Sequence, residues 1–592
     1  MKKIMNNPQN IVIEMINGIV AAHPELCADA KYKFICKKEP DRDKVTLISG
    51  GGSGHEPAHA GFVGEGMLDC AVCGDVFASP SQIQVYKAIT ETAGSKGSLL
   101  IIKNYSGDVM NFKNAAELAK EDGIDVDYVI VDDDIAVEDS LYTVGKRGVA
   151  GTIFVHKIAG AAAAQGKSLA DVKKLAEKTI ANVKSIGFAL TSCSLPAKGE
   201  PIFELGEGDM EYGVGIHGEP GIRREATKTA DDLAKDAVSS LIKAAELKAD
   251  SEVAVMINGF GATPLMELYV LNNSVAGQLH NMGIKTATTF VGNYMTSLDM
   301  AGASITILTL DDELKTYLSA PAKTPAFVIG NPCNADDTQG TSFASNPYTP
   351  LSGLPVKTGS YTLETDQKHA SIVGEKLSKD NMVYIVDLLS QEIIANEAYF
   401  CQLDSIAGDG DFGASLAKGF RKLKDEWQDI LAKGNDIGGF LTECSLVIME
   451  ECGGASGPIW GSAFKGAGKS TKGKNQLSVA DFADMLQSAA AAIRLTGERS
   501  FGRGAEVGDK TLMDALIPCA DAWTAAAKNN FALKEAFAAG VQGAVAGAES
   551  TKNITAKMGR AGNVGERSLG HPDAGAQALG ELFTTIASAI NN

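Results

Sequence analysis

The chain has 592 residues, several times what one hydrophobic core serves, so at least three folding units are expected. Apolar residues make up 45% and charged residues 21%, which excludes a disordered or fibrous chain. Lys plus Arg number 54 against 73 Asp plus Glu, a net charge of −19 that repels polyanions and argues against nucleic-acid binding through phosphates.

From Lys44 to about Val328, short β-branched runs alternate with Ala-rich amphipathic stretches. Val45–Ile48 runs into Gly50-Gly51-Gly52, Ser98–Ile102 into Asn104-Tyr105-Ser106-Gly107-Asp108, and Tyr128–Val131 into Asp132-Asp133-Asp134. Strands that end in Gly, Asn and Asp, with helical stretches such as Asn114–Ala119 between them, predict a parallel α/β sheet. In such sheets ligands lie beyond the carboxyl ends of the strands, where these loops fall. Further runs at Glu252–Ile257 and Ser304–Leu308 predict a second α/β lobe, the split falling near residue 190. From Gly330 to about Thr365 periodicity gives way to Asn, Pro, Thr, Ser and Gly, which reads as a tether. Beyond it, Met382–Phe400 carries apolar residues at helical spacing (Val383, Val386, Leu389, Ile393, Ile394). Phe482–Leu495 and Ala536–Ala546 read as helical too, the latter interrupted by Gly540 and Gly543. The expectation is multidomain: a two-lobed α/β domain over residues 1–329, a linker over 330–368, and an all-α domain over 369–592.

No apolar run approaches the ~20 residues of a membrane span. The opening Met1–Met5 turns polar at Asn6 and Asn7 with no apolar core of a secretory signal, so a cytoplasmic protein is expected. The ten cysteines are scattered; Cys70 and Cys73 form a C-x-x-C with no second pair at zinc spacing, and reduced buried thiols are expected.

Three nucleotide-like fingerprints fail on context. Gly408–Gly413 and Gly213–Gly218 both match G-x-G-x-x-G, but neither joins a strand to a helix with an acidic residue ~20 positions on. Gly468-Lys469-Ser470 resembles a P-loop end, but Ala463 replaces its first glycine.

Asp404, Asp409 and Asp411 are a different signal. Carboxylates this close are tolerable when solvated or when they hold hard divalent cations completed by nucleotide phosphates. A second helix-breaking cluster, Gly453-Gly454-Ala455-Ser456-Gly457-Pro458, can point N–H groups at phosphate oxygens, and Arg560 offers a cation. Metal, backbone cradle and cation together suit phosphoryl transfer. In the N-terminal half His55 sits in Ser49–Pro57 and His217 in Gly213–Pro220, both packed in glycine, with Lys103 and Asp108 closing a strand. Two histidines and an aspartate on three loops can supply a base, an acid and a nucleophile. Asp132, Asp133 and Asp134 read as structural, capping Asp139–Tyr142, and the remaining histidines receive no role.

These motifs resemble the dihydroxyacetone kinases. Gly50–Pro57, Lys103–Asp108 and Gly213–Pro220 are similar to the dihydroxyacetone-binding subunit. Asp404–Gly413, Gly453–Pro458, Gly508-Asp509-Lys510-Thr511 and Gly565–Gly570 are similar to the nucleotide-binding subunit, in the order of the single-chain ATP-dependent enzymes. The resemblance implies a helical-barrel nucleotide domain and a homodimer. It implies that His217 holds the triose as a covalent hemiaminal, that Asp108 and His55 act on the accepting hydroxyl, and that Gly52, Ser53, Gly54 and Lys103 line the pocket. It further implies two Mg²⁺ on Asp404, Asp409 and Asp411, and ATP against Phe412, Gly413, Ala414, Ser415, Ala455, Ser456, Leu512, Arg560, Asp573, Ala574 and Gly575. Two positions depart from the family: Phe412 stands where His or Cys is usual, and Ala574 where Pro is usual. The alternatives are an FMN-forming cleavage of FAD, confined to the nucleotide domain, and a non-catalytic dihydroxyacetone sensor.

Overall fold

The structure, a computed structural model, describes residues 3–137, 145–197, 200–218, 221–330, 348, 361–558 and 565–590. Most of the expected tether, Asp139–Tyr142, Glu219, Pro220 and Arg560 lie outside these. The chain forms two compact units, residues 1–352 and 353–592. Among the described residues no helix is long and apolar enough to cross a membrane.

The first unit contains two six-stranded sheets. In the first, β1 (Leu26–Asp29), β2 (Phe34–Lys37), β3 (Thr46–Ser53), β4 (Cys70–Val76), β5 (Ser98–Lys103) and β6 (Val126–Val131) lie in the order β1-β2-β4-β3-β5-β6. The four central and distal strands run parallel as expected, while the short hairpin β1–β2 adds antiparallel pairing at one edge. Every residue of β3 and β5 is buried, because helices cover both faces of a parallel sheet. Alternation sorts them: Leu47, Leu99 and Ile101 enter one core cluster, and Ile48, Leu100 and Ile102 the other.

The second sheet is built from β7 (Val183–Ala189), β8 (Asp209–Tyr212), β9 (Arg223–Ala226), β10 (Glu252–Gly259), β11 (Lys285–Gly292) and β12 (Gly302–Thr309), ordered β11-β10-β12-β7-β8-β9. Here the expectation of parallel strands is corrected. Only β10 and β11, joined through the helix Leu265–Asn281, are parallel; all other pairs are antiparallel. The segment from β11 to β12 contains no helix, so the chain returns beside β10 in the opposite sense. One face of each sheet shares a core with the helix Thr152–Ala164, which is apolar nearly all round and buried nearly throughout.

Among its described residues the second unit is helical apart from a two-residue ladder between Leu377–Ser378 and Gln476–Leu477. Eight helices close a ring: Lys379–Ala395, Phe412–Asp425, Ile437–Glu451, Ser456–Ser470, Val479–Phe501, Met513–Lys528, Leu533–Ser550 and Ala574–Ile590, the last packing back on the first. The run expected as one helix to Phe400 breaks at Asn396, after which Glu397–Asp404 carries the chain to the aspartates. Gly540 does not break its helix. It lets the helix approach Trp523 so closely that a Cβ would strike the indole.

Candidate functional site

The glycines at the carboxyl end of β3 exist because neighbouring groups press on the backbone. A Cβ at Gly51 would collide with the Lys103 ammonium, and one at Gly52 with the backbone of Phe77 and Ala78. Lys103, fully buried at the end of β5, donates to Asp108 Oδ2 at 3.1 Å and approaches the Gly50 carbonyl at 3.4 Å. Asp108 is in the first turn of the helix Ser106–Glu121. Ser53 is turned inward, its hydroxyl bonded to the Gly74 carbonyl at 2.7 Å, and the Gly54 N–H donates to the Glu56 carboxylate.

His55 from the first sheet meets His217 from the second. Their Nε2 atoms lie 3.1 Å apart, with the ring planes at 88°. Phe77 stacks on His55 at 5.1 Å and Tyr105 stands edge-on to His217 at 4.5 Å, while the Lys103 ammonium lies 5.8 Å from the Tyr105 ring centre. The loops expected to cooperate therefore meet, and the residues between them are aromatic.

The hydrogen bonds assign the protons. Nδ1 of His55 lies 2.9 Å from the Thr296 carbonyl, which can only accept, so that nitrogen carries the hydrogen. Burial, with help from His217 and Lys103, holds His55 well below the usual imidazole range, so the ring is neutral and its Nε2 is a lone pair. His217 Nε2 must then donate to it. Burial, Lys103 and Arg147 lower His217 to about 3, so it too is neutral at pH 7.

In the second unit one cleft is lined by Asp404, Asp409, Asp411, Phe412, Ala455, Ser456, Leu512, Asp573, Ala574 and Gly575, uniting segments scattered over 170 positions of sequence. Carboxylate oxygens of the three aspartates all lie within 4.8 Å of one another. Such an all-oxygen set fits a hard cation such as Mg²⁺ whose shell a nucleotide completes. Asp404 Oδ2 accepts the Gly410 N–H at 2.9 Å, and a Cβ at Gly408 would strike its other oxygen. Gly413, Ala414 and Ser415 form the first turn of the helix Phe412–Asp425; Gly413 is buried, and the Ala414 N–H lies 3.2 Å from Cys401 Sγ. Gly453 and Gly454 lead into Ala455 and Ser456 at the start of the helix Ser456–Ser470. Asp573 caps the helix Ala574–Ile590 through the Ala576 N–H at 2.8 Å, and burial with Asp514 and Asp404 nearby pushes its carboxyl up to about 7.

Lys510 lies in the Gly508–Thr511 motif, and nothing in the sequence marks its role. Its ammonium donates to the carbonyls of Thr551 (2.7 Å), Ile554 (3.1 Å), Ser568 (2.6 Å) and His571 (2.8 Å), gathering the segment that ends at Asp573. Missed as well was a second buried pair, His59 Nδ1 to His156 Nε2 at 3.0 Å. Asp133 and Asp134 have structural partners among the described residues: Asp133 accepts from Val149, Gly151 and Ser185, and Asp134 from Arg147, while the segment they are expected to cap lies outside the described residues. Among the described residues every cysteine is a free thiol.

Residues 17–326 match the Dak1 domain and residues 406–588 the DAK2 domain. Over 314 residues, 53% of this chain and 95% of the relative, the sequence is 52% identical to the dihydroxyacetone-binding subunit of a PTS-dependent dihydroxyacetone kinase from Listeria innocua. Over the full length of both chains (100% of each) it is 35% identical to an L-erythrulose 1-kinase of Mycolicibacterium smegmatis. The crystal structure of the dihydroxyacetone kinase of C. freundii with AMP-PNP and Mg²⁺ matches over 99% of each chain, at 31% identity and a TM-score of 0.57. Two domain matches in this order, and likeness along the whole length, mean that the chain belongs to the single-chain dihydroxyacetone kinase family.

Proposed function

We propose that the protein transfers the terminal phosphoryl group of ATP to dihydroxyacetone, and to D-glyceraldehyde, with the triose bound as a hemiaminal on His217. The observation that carries this reading is the Nε2-to-Nε2 contact of two neutral imidazoles beside the Lys103–Asp108 pair. His217 bonds to the substrate carbonyl carbon, the C=O π bond becomes a C–O single bond, and the Nε2 proton of His217 passes to His55. His55 returns that proton to the new alkoxide oxygen, leaving a neutral hemiaminal. A free carbonyl is required, so glycerol is excluded. Asp108 then accepts the proton of a terminal hydroxyl as its oxygen takes the phosphoryl group and ADP departs.

Asp404, Asp409 and Asp411 would hold two Mg²⁺, whose charge offsets that of the phosphates. The first turn at Ala455–Ser456 offers backbone N–H groups, Gly413, Ala414, Ser415, Leu512, Ala574 and Gly575 pack around the nucleotide, and Arg560 belongs to the same expected set. Phe412 can supply only apolar contact. The same reading includes a cytoplasmic homodimer.

The donor is tested directly, because the substrate-binding half is similar to a PTS-dependent subunit. Purified protein is given dihydroxyacetone and MgATP, and ADP release is followed, with L-erythrulose as a second acceptor. Turnover with MgATP alone is expected. Phosphorylation only when a phosphocarrier protein is added overturns the ATP assignment, and a strong preference for L-erythrulose overturns the triose assignment.

A further inference from the structure

We propose that Arg147 is the positioning residue for His217, holding the loop that presents its imidazole to His55; this rests on the hemiaminal reading above. His55 and His217 arise from different sheets, so a 3.1 Å contact between them requires the seam between the sheets to be fixed to a few tenths of an ångström. Arg147 lies on that seam and is buried to 1% exposure. Its Nε donates to Asp134 Oδ2 at 2.7 Å and its Nη2 to the Gly213 carbonyl at 2.8 Å. Asp134 follows β6 of the first sheet and bridges to Ser185 of β7. Gly213 opens the His217 loop and is itself bonded to β7, its N–H donating to the Gly187 carbonyl at 2.7 Å.

Both ends of this connection are rigid. Asp134 Oδ1 accepts the Ala136 N–H at 2.9 Å, and its own N–H donates to the Arg147 carbonyl at 3.0 Å. Asp133 ties Val149 and Gly151 to Ser185, so the segment from which Arg147 projects is held to both sheets. Gly213 has φ +77°, and a Cβ there would meet Ile222 and Ala136. Val214 and Ile216 are buried in the shared core, which leaves His217 at the end of a short, anchored run.

A buried ion pair is poor evidence for stability, because apolar residues of similar volume serve as well. What apolar residues cannot do is join a carboxylate of one sheet to a backbone carbonyl of the loop beside the other. The planar guanidinium reaches both with fixed geometry, whereas an ammonium is a point donor. Its charge also disfavours protonation of His217 and so preserves the nucleophile.

The test uses the full chain and [2-13C]dihydroxyacetone, with the bound carbon followed by NMR as it changes from ketone to tetrahedral. Wild type is expected to show the tetrahedral signal and His217→Ala none. Arg147→Met is expected to lose at least nine-tenths of that signal and to lower kcat more than it raises KM, with Arg147→Lys restoring part. Arg147→Met takes away the Asp134 ion-pair partner and so puts folding of the unit at risk; Asp134→Asn/Arg147→Met, which has no orphaned charge, is therefore measured beside it, with thermal melts on all variants. Loss of signal in the folded double variant supports the proposal. Wild-type signal in either Arg147→Met or the double variant overturns it. Absence of signal in wild type defeats the hemiaminal reading itself, and the positioning role falls with it.

Discussion

Nε2 of His217 donates to Nε2 of His55 across 3.1 Å, and His55 in turn donates from Nδ1 to the Thr296 carbonyl. The nitrogen of His217 that faces His55 therefore bears a proton in the resting state. It can become a nucleophile only by giving that proton to the lone pair already aligned with it.

His55→Asn tests this polarity. An asparagine amide can still donate to Thr296 but offers no basic nitrogen to His217. Adduct formation and triose phosphorylation are expected to slow by about 10²- to 10⁴-fold, the usual range for a lost general base. MgATP binding, measured by calorimetry, should not change. An FMN-forming cleavage of FAD confined to the helical unit would survive both His55→Asn and His217→Ala, so triose and FAD turnover measured on the same preparations separate the two activities. Wild-type adduct rates in His55→Asn would remove His55 from the chemistry.

The first unit should weaken in acid through its buried imidazoles. His55, His59, His156 and His217 are all held below the usual value, first by burial, His156 to about 3. A depressed pKa means that the unfolded chain binds more protons below pH 6.5, so stability is complete above that value and falls as pH drops toward about 3. Burial also raises Glu56, Asp133 and Asp134, the last to about 6, and these oppose the trend as the folded state takes up their protons. One histidine is isolated by His156→Gln: between pH 7 and pH 5 the wild type should lose about 2 kcal/mol more than the variant. Urea unfolding of the first-unit transition at both pH values measures it, and equal losses would contradict the neutral His59–His156 pair.

Gly408→Ala perturbs the carboxylate cluster without removing a carboxylate. The added Cβ must displace Asp404, whose other oxygen is held by Gly410. Misplaced supports of metal ligands typically cost 10- to 100-fold in metal affinity. The expected result is an Mg²⁺ requirement for turnover raised by about that factor, with kcat recovered at saturating Mg²⁺, whereas Asp409→Ala should not recover. An unchanged Mg²⁺ titration for Gly408→Ala would place the cations elsewhere.

What could be read beforehand follows the range of the interactions involved. Glycine-rich strand ends and a triple aspartate at a helix break are local, and they led to His55, Lys103, Asp108, His217 and the cleft of the second unit. The antiparallel course of β12 was hidden, because strand composition does not encode pairing direction; the connection from β11 decides it. The four-residue strands β1, β2, β8 and β9 are too short to show alternation. His59 and His156 stand 97 positions apart, and Arg147 reaches Gly213 across 66, distances at which only the folded chain shows a partner. Lys510 was hidden differently. Its partners are carbonyls, which every residue carries, so no residue type marks them.

That clamp gives the last prediction. Lys510 is 2% exposed and adopts φ +62°, a strained conformation for a non-glycine residue that persists only where surroundings enforce it. Asp514 braces the same turn, accepting from the Gly508 and Thr511 N–H groups at 2.6 and 2.7 Å. Lys510→Met keeps the length of the side chain and removes every donor, leaving four carbonyls short of a partner. Unsatisfied buried acceptors cost about 1–3 kcal/mol each, and water will reach some of them, so a loss of about 3 kcal/mol is expected in the second-unit transition. Nucleotide affinity should fall with it, because the clamped segment ends at Asp573 in the cleft wall, while adduct formation in the first unit should stay at wild-type level. Unfolding followed with and without Mg-AMP-PNP separates the two effects: a variant that loses stability but keeps its nucleotide-induced shift would make Lys510 a purely structural residue.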